Sequence, residues 1–79
     1  MIELKLPQHG MGMADGTIVA WKKSEGDRVS RGEVLAEVEA AKTTIEIEAP
    51  GDGVLARILV PEDENVPVHT VIALIDDQA

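Results

Sequence analysis

Glycine and proline interrupt this chain so often that no long regular element fits between them. Gly10, Gly12, Gly16, Gly26, Gly32, Gly51 and Gly53, with Pro7, Pro50, Pro61 and Pro67, leave room for strands of about four to six residues. Helical signals are nearly absent. Between the breakers, apolar and polar residues alternate with the two-residue period of a strand that has one dry and one wet face. The expectation is an all-β domain, a flattened barrel or sandwich of two small antiparallel sheets.

The chain also repeats itself. An offset of 37 positions lays Asp15-Gly16 on Asp52-Gly53, Glu25 on Glu62, Val29 on Val66, Val34 on Val71 and Ala36 on Ala73. Apolar positions coincide as well, Ile18 with Leu55, Trp21 with Ile58, Leu35 with Ile72 and Val38 with Ile75. Two halves that agree where a core needs them imply a pseudo-twofold axis. Each half is expected to hold an Asp-Gly turn, a strand, an acidic loop and a second strand. Gly53 is expected to hold its turn at positive φ, so Gly53→Val should destabilise the fold.

With 79 residues there is one domain, 1–76, followed at 77–79 by the polar start of a linker. Its core must come from Val, Ile, Leu, Ala and Met, because Trp21 is the single aromatic residue and is expected to anchor one side. Cysteine is absent, which removes disulfides, thiolate nucleophiles and cysteine-based metal sites. The net charge of −8, with no basic run longer than Lys22-Lys23, argues against nucleic acid; an acidic shell would steer the domain toward basic faces, but many small soluble domains are acidic for no further reason. The longest apolar run, Val71 to Ile75, falls far short of the ~20 residues that span a bilayer, so no membrane partner is expected. The first residues lack a secretory pattern, which places the domain in the cytoplasm, or in the mitochondrial matrix if the source is eukaryotic. His9 and His69 have no supporting ligand cluster, and no metal is expected.

One side chain stands apart. Val34-Leu35-Ala36-Glu37-Val38-Glu39 and Thr44-Ile45-Glu46-Ile47-Glu48 form an acidic hairpin, and Lys42 sits in the corner from Glu39 to Thr44. Val34, Ala36 and Val38 are expected on the buried face, opposite Leu35, Glu37 and Glu39; Ile45 and Ile47 oppose Thr44, Glu46 and Glu48. Lys42 has small neighbours, Ala40, Ala41 and Thr43, so an enzyme could reach its amine. A lysine displayed in this way suits covalent modification, and the chain has the character of a carrier.

The ordered pieces resemble the lipoyl domain family. They are Leu6-Pro7, Gly10-Met11-Gly12-Met13, Asp15-Gly16-Thr17-Ile18, Trp21, Glu25-Gly26-Asp27-Arg28-Val29, Gly32, Glu37-Val38-Glu39 and Lys42. After the lysine come Ala49-Pro50, Gly53-Val54-Leu55, Val66-Pro67-Val68 and Ile72-Ala73-Leu74-Ile75. The resemblance implies a barrel-sandwich hybrid that is not itself an enzyme. It implies lipoate in amide linkage to Lys42, shuttling acyl groups and reducing equivalents within a 2-oxo acid or acetoin dehydrogenase complex. The implied partners are a lipoylating enzyme, a 2-oxo acid decarboxylase, an acyltransferase core and dihydrolipoamide dehydrogenase, with the isolated domain a monomer. Glu39, Ala41 and Thr43 are the residues by which the modifying enzyme or the decarboxylase would recognise the tip. Many lipoyl domains place Asp before and Ala after the lysine, where this chain has Ala41 and Thr43.

Two alternatives accompany that expectation, a biotinyl carrier and an unmodified interaction module. Biotinyl carriers share the fold but typically flank the lysine with methionines, which this chain does not. Met11 and Met13 are expected to pack within their glycine-rich loop.

Overall fold

The computed structural model describes residues 1–8, 13–40 and 43–78. Eight strands run in chain order: β1 (Ile2–Lys5), β2 (Asp15–Trp21), β3 (Arg28–Val29), β4 (Val34–Ala40), β5 (Thr43–Glu48), β6 (Gly53–Ile58), β7 (Asn65–Pro67) and β8 (Val71–Asp76). They form two four-stranded antiparallel sheets, β1-β8-β6-β3 and β5-β4-β2-β7, as the spacing of glycines and prolines leads one to expect. Among the described residues, sixteen apolar side chains are buried in the core, Ile18, Leu35, Val38, Leu55, Ile72 and Ile75 each fully enclosed.

The pseudo-twofold is present in detail. The halves share their irregularities: the β2–β4 pairing skips Val19, and the β6–β8 pairing skips its mate Ala56. Leu35 is unpaired against β5, as Ile72 is against β1. The connections match too. Trp21 N donates to a Glu62 carboxylate oxygen and Ile58 N to one of Glu25, both at 2.8 Å. Each half therefore ties down the other's strand end with a carboxylate from its own acidic loop. Short β3 and β7 cross over, each pairing in the sheet to which the other half gives its longer strands.

Three expectations need correction. Leu35, placed on the wet face, is fully buried, because the bulge at that position turns both Leu35 and Ala36 into the core. The Asp-Gly pairs are not turns: Asp15-Gly16 opens β2, and Gly53 is the first residue of β6. Gly53 does not have positive φ either. A Cβ there would lie 2.5 Å from the Asp76 carbonyl oxygen and 3.0 Å from Ile75 Cγ2, so the glycine exists for close strand approach. Trp21 anchors one side of the core as expected: it is half-buried, packs against the core, and its Nε1 donates to Val60 O at 2.9 Å.

Left-handed backbone occurs at Gly26 and Gly32 (φ 93° and 85°) and, 37 positions later, at Asp63 and His69 (both 71°). The symmetry thus demands the same conformation twice, and only the first half meets it with glycine. Met13 is buried in the core, while Met11 and His9 lie outside the described residues.

An exposed pair, Lys23 Nζ to Glu33 at 2.9 Å, braces the β3–β4 turn, where Glu33 also accepts from Ser30 N at 3.0 Å. The lysine bond holds the Glu33 carboxyl below its usual value of 4.5, with the Ser30 amide as the second cause. The Glu33 bond raises Lys23 above 10.5. Lowering a folded carboxyl's pKa adds stability that is present above the unfolded value and disappears as pH falls through the folded one. Raising a lysine's adds stability that disappears as pH rises through its folded value. Wild type is therefore expected to melt above Glu33→Gln between about pH 5 and 10 and to converge with it near pH 2, the exposed pair contributing modestly. A gap that persists undiminished at pH 2 in thermal melts would contradict this.

Candidate carrier site

The hairpin of β4 and β5 carries the site. Ala40 pairs with Thr43 and Glu39 with Thr44, so the ladder runs one residue further on each side than the sequence suggests. Only Ala41 and Lys42 join the two strands in the chain, and both lie outside the described residues. Of the other predicted recognition residues, Thr43 and Glu39 are exposed, and Ala40 beneath them is buried. A buried anchor directly before the joint holds the end of β4 to the core and leaves the outer face of the pair open.

That face extends across the sheet. Directly opposed residues share a face in antiparallel pairs, so the register makes one outward row of Thr44, Glu39, Thr17 and Asn65, crossing all four strands. Asn65 Nδ2 donates to Thr17 Oγ1 at 3.0 Å and fixes the far end of the row. The next row holds Glu46, Glu37 and Ala20. Glu37 and Glu46 stand opposite one another, an arrangement that costs stability. Lys22 Nζ, 3.1 Å from Glu37, offsets part of it, while Glu39 and Glu46 have no ion pair among the described residues. Thr17 and Asn65 escaped sequence reasoning, because only the long-range register brings them beside Glu39.

The termini occupy the symmetry-related position in the other sheet. Ile2 pairs with Ile75, and the Met1 ammonium reaches Asp77 Oδ1 at 3.0 Å. Where the inner ends of β1 and β5 meet, Leu4, Lys5, Pro7, Glu46, Ile47 and Glu48 line a shallow groove of about 340 Å³. No group of three potential metal ligands occurs among the described residues, and no helix is long and apolar enough to cross a membrane.

A two-sheet module whose strand pairing leaves a lysine in a two-residue joint has the architecture of a carrier. Residues 2–75 match the biotin/lipoyl family, described as "biotin-requiring enzyme". The solved lipoyl domain of the 2-oxoglutarate dehydrogenase complex from Azotobacter vinelandii is 30% identical and superposes with a TM-score of 0.81 over the whole of both chains. The dihydrolipoyllysine-residue acetyltransferase component of the pyruvate dehydrogenase complex from Rickettsia typhi is 41% identical, over 98% of this chain and 19% of that protein. The pyruvate dehydrogenase E1 component subunit beta of Rhizobium meliloti is 40% identical, over 94% of this chain and 16% of that protein. The chain belongs to the biotin/lipoyl family and is a lipoyl domain, a non-catalytic carrier. It spans about a fifth of the length of the curated relatives it matches.

Proposed function

We propose that Lys42 carries lipoate in amide linkage and that the domain serves a 2-oxo acid dehydrogenase complex, within an acyltransferase component. The observation that supports it is the pairing of Ala40 with Thr43, which leaves Lys42 in the two-residue joint of the strands. Of the remaining lysines, Lys22 and Lys23 are engaged with Glu37 and Glu33, and Lys5 lies in β1. Attachment forms a C–N bond between Lys42 Nζ and an activated lipoyl carbonyl; the activating group leaves and Nζ gives up a proton. Once attached, the group supplies a dithiolane that accepts an acyl group and electrons.

The chain's own residues do the rest. Ala40 and Val38 seat β4 in the core, and Glu39 and Thr43 frame the joint. The partners on this reading are the lipoylating enzyme, the decarboxylase, the acyltransferase core and dihydrolipoamide dehydrogenase, in the cytoplasm or mitochondrial matrix. The domain also resembles part of an E1 subunit, so a decarboxylase subunit is the competing parent.

Intact mass spectrometry of protein made in a host supplied with both lipoate and biotin tests the proposal. The expected result is a lipoyl increment that disappears in Lys42→Arg. A biotinyl increment, no increment, or a lipoyl increment that persists in Lys42→Arg would overturn it.

A further inference from the structure

β1 stands at the edge of one sheet and β5 at the same edge of the other, and the two strands differ in their charges. Their registers correspond: Leu4 faces Ala73 where Ile47 faces Ala36, Glu3 faces Leu74 where Glu46 faces Glu37, and Lys5 faces Val71 where Glu48 faces Val34. On each strand two exposed charged side chains thus stand on either side of a buried apolar one. An unpaired strand edge is a template for another strand, and charge decides whether it is used. Pairing β5 with β5 of a second copy about Ile47 sets Glu46 opposite Glu48 twice, which protects that edge. Pairing β1 with β1 of a second copy about Leu4 sets Glu3 opposite Lys5 twice. Neither Glu3 nor Lys5 takes part in an ion pair among the described residues. The remaining edges, the two residues of β3 and the three of β7 with Pro67, are too short to template a partner.

We infer that the free edge of β1 is a docking site for β1 of a second copy, the two strands running antiparallel about a twofold axis at Leu4 and joining the terminal sheets of both copies into one. Charge selects this alignment alone. Shifting the strands by one residue sets outward side chains against inward ones, and shifting by two sets Glu3 against Glu3 or Lys5 against Lys5. Pairing β1 with β5 of another copy sets Lys5 opposite Glu46 but Glu3 opposite Glu48, one attraction against one repulsion, in a contact that does not close on itself. The selected alignment also sets the exposed Met1 opposite Pro7 of the second copy. The lysine-bearing hairpin lies in the other sheet, so the pairing stands apart from the function proposed above. Four-residue edges bury less than the ~1,200 Å² of a standard interface and two acidic copies repel, so the dissociation constant is on the order of millimolar. Copies held on neighbouring flexible linkers reach that effective concentration, and there the pair is populated.

Sedimentation equilibrium and backbone amide shifts of the domain, followed from about 0.05 to about 3 mM, test the pairing. The weight-average mass of wild type is expected to rise from monomer toward dimer over that range, with the shift changes centred on β1 and its neighbour β8 while β5 stays unchanged. Glu3→Lys and Lys5→Glu should each weaken association by about tenfold or more, because both opposite-charge pairs become like-charge pairs. An equimolar mixture of these two variants should associate again, since every facing pair is once more of opposite sign. The double variant Glu3→Lys, Lys5→Glu restores the pairs within one sequence and should self-associate as wild type does; it decides the matter if a single variant misfolds. Wild type that stays monomeric at about 3 mM overturns the inference, even if its β1 edge accepts an unrelated extended peptide. So do single variants that associate unchanged, a mixture or double variant that stays monomeric, or shift changes centred on β5.

Discussion

Gly53→Val should remove a large share of the domain's stability. A Cβ at this position meets a backbone oxygen, Asp76 O, at 2.5 Å, and Val54 and Leu55 just beyond it are paired with Asp76 and Ile75. A carbonyl in a hydrogen-bonded ladder cannot rotate away as a side chain can, so β6 and β8 must separate. Overpacking in a core costs about 1–3 kcal/mol and occasionally more, and the total for a domain of this size is roughly 3–5 kcal/mol. Two neighbours calibrate the result. Gly16→Ala meets the Val38 Cγ1 methyl at 2.7 Å, a side chain that can shift, and should cost less than Gly53→Ala. Gly51→Ala meets only Ile2 Cδ1 at 3.4 Å and should cost under about 1 kcal/mol. Urea denaturation decides the matter, and a Gly53→Val midpoint equal to wild type would refute the account.

Ile18→Ala and Leu55→Ala should each cost about 2–5 kcal/mol, and should agree with one another within about 1 kcal/mol. Both side chains are fully enclosed, and they are symmetry mates on β2 and β6. Truncating either removes the same kind of wall from the shared core, and the mate's half offers no extra material to fill the gap. Leu59→Ala is the contrast: Leu59 is 46% exposed, and its truncation should change stability by no more than about 0.5 kcal/mol. Unequal losses for the mates, one above 3 and the other below 1 kcal/mol, would show that the two sheets do not share the core evenly.

The repeat was legible in the sequence because the constraint it imposes is repeated in kind. Glu25 and Glu62 both accept from a strand end, Gly16 and Gly53 both lie where two strands approach closely, and the same residue type serves at both. It faded where different residues meet one constraint. Gly26 and Gly32 announce a left-handed backbone, but Asp63 and His69 adopt the same conformation without glycine's signature. Leu35 was misplaced because strict alternation has no term for a bulge, and a single extra residue moves a side chain to the opposite face. The crossing of β3 and β7 between sheets is fixed by partners dozens of positions away, which no local pattern contains. The carrier site divides in the same way. Glu39 and Thr43 border Lys42 in the chain, and their exposure follows from the hairpin; Thr17 and Asn65 arrive by register alone.

The handshake between Met1 and Asp77 closes, in space, the gap where a second hairpin would stand. Both ends of the module thus issue side by side, like the two cords at the clasp of a pendant. Copies can be strung in tandem, or spliced between unrelated segments, without any flanking polypeptide having to cross the sheets. A short loop joining the chain beyond Asp77 back to Met1 would make the molecule a ring.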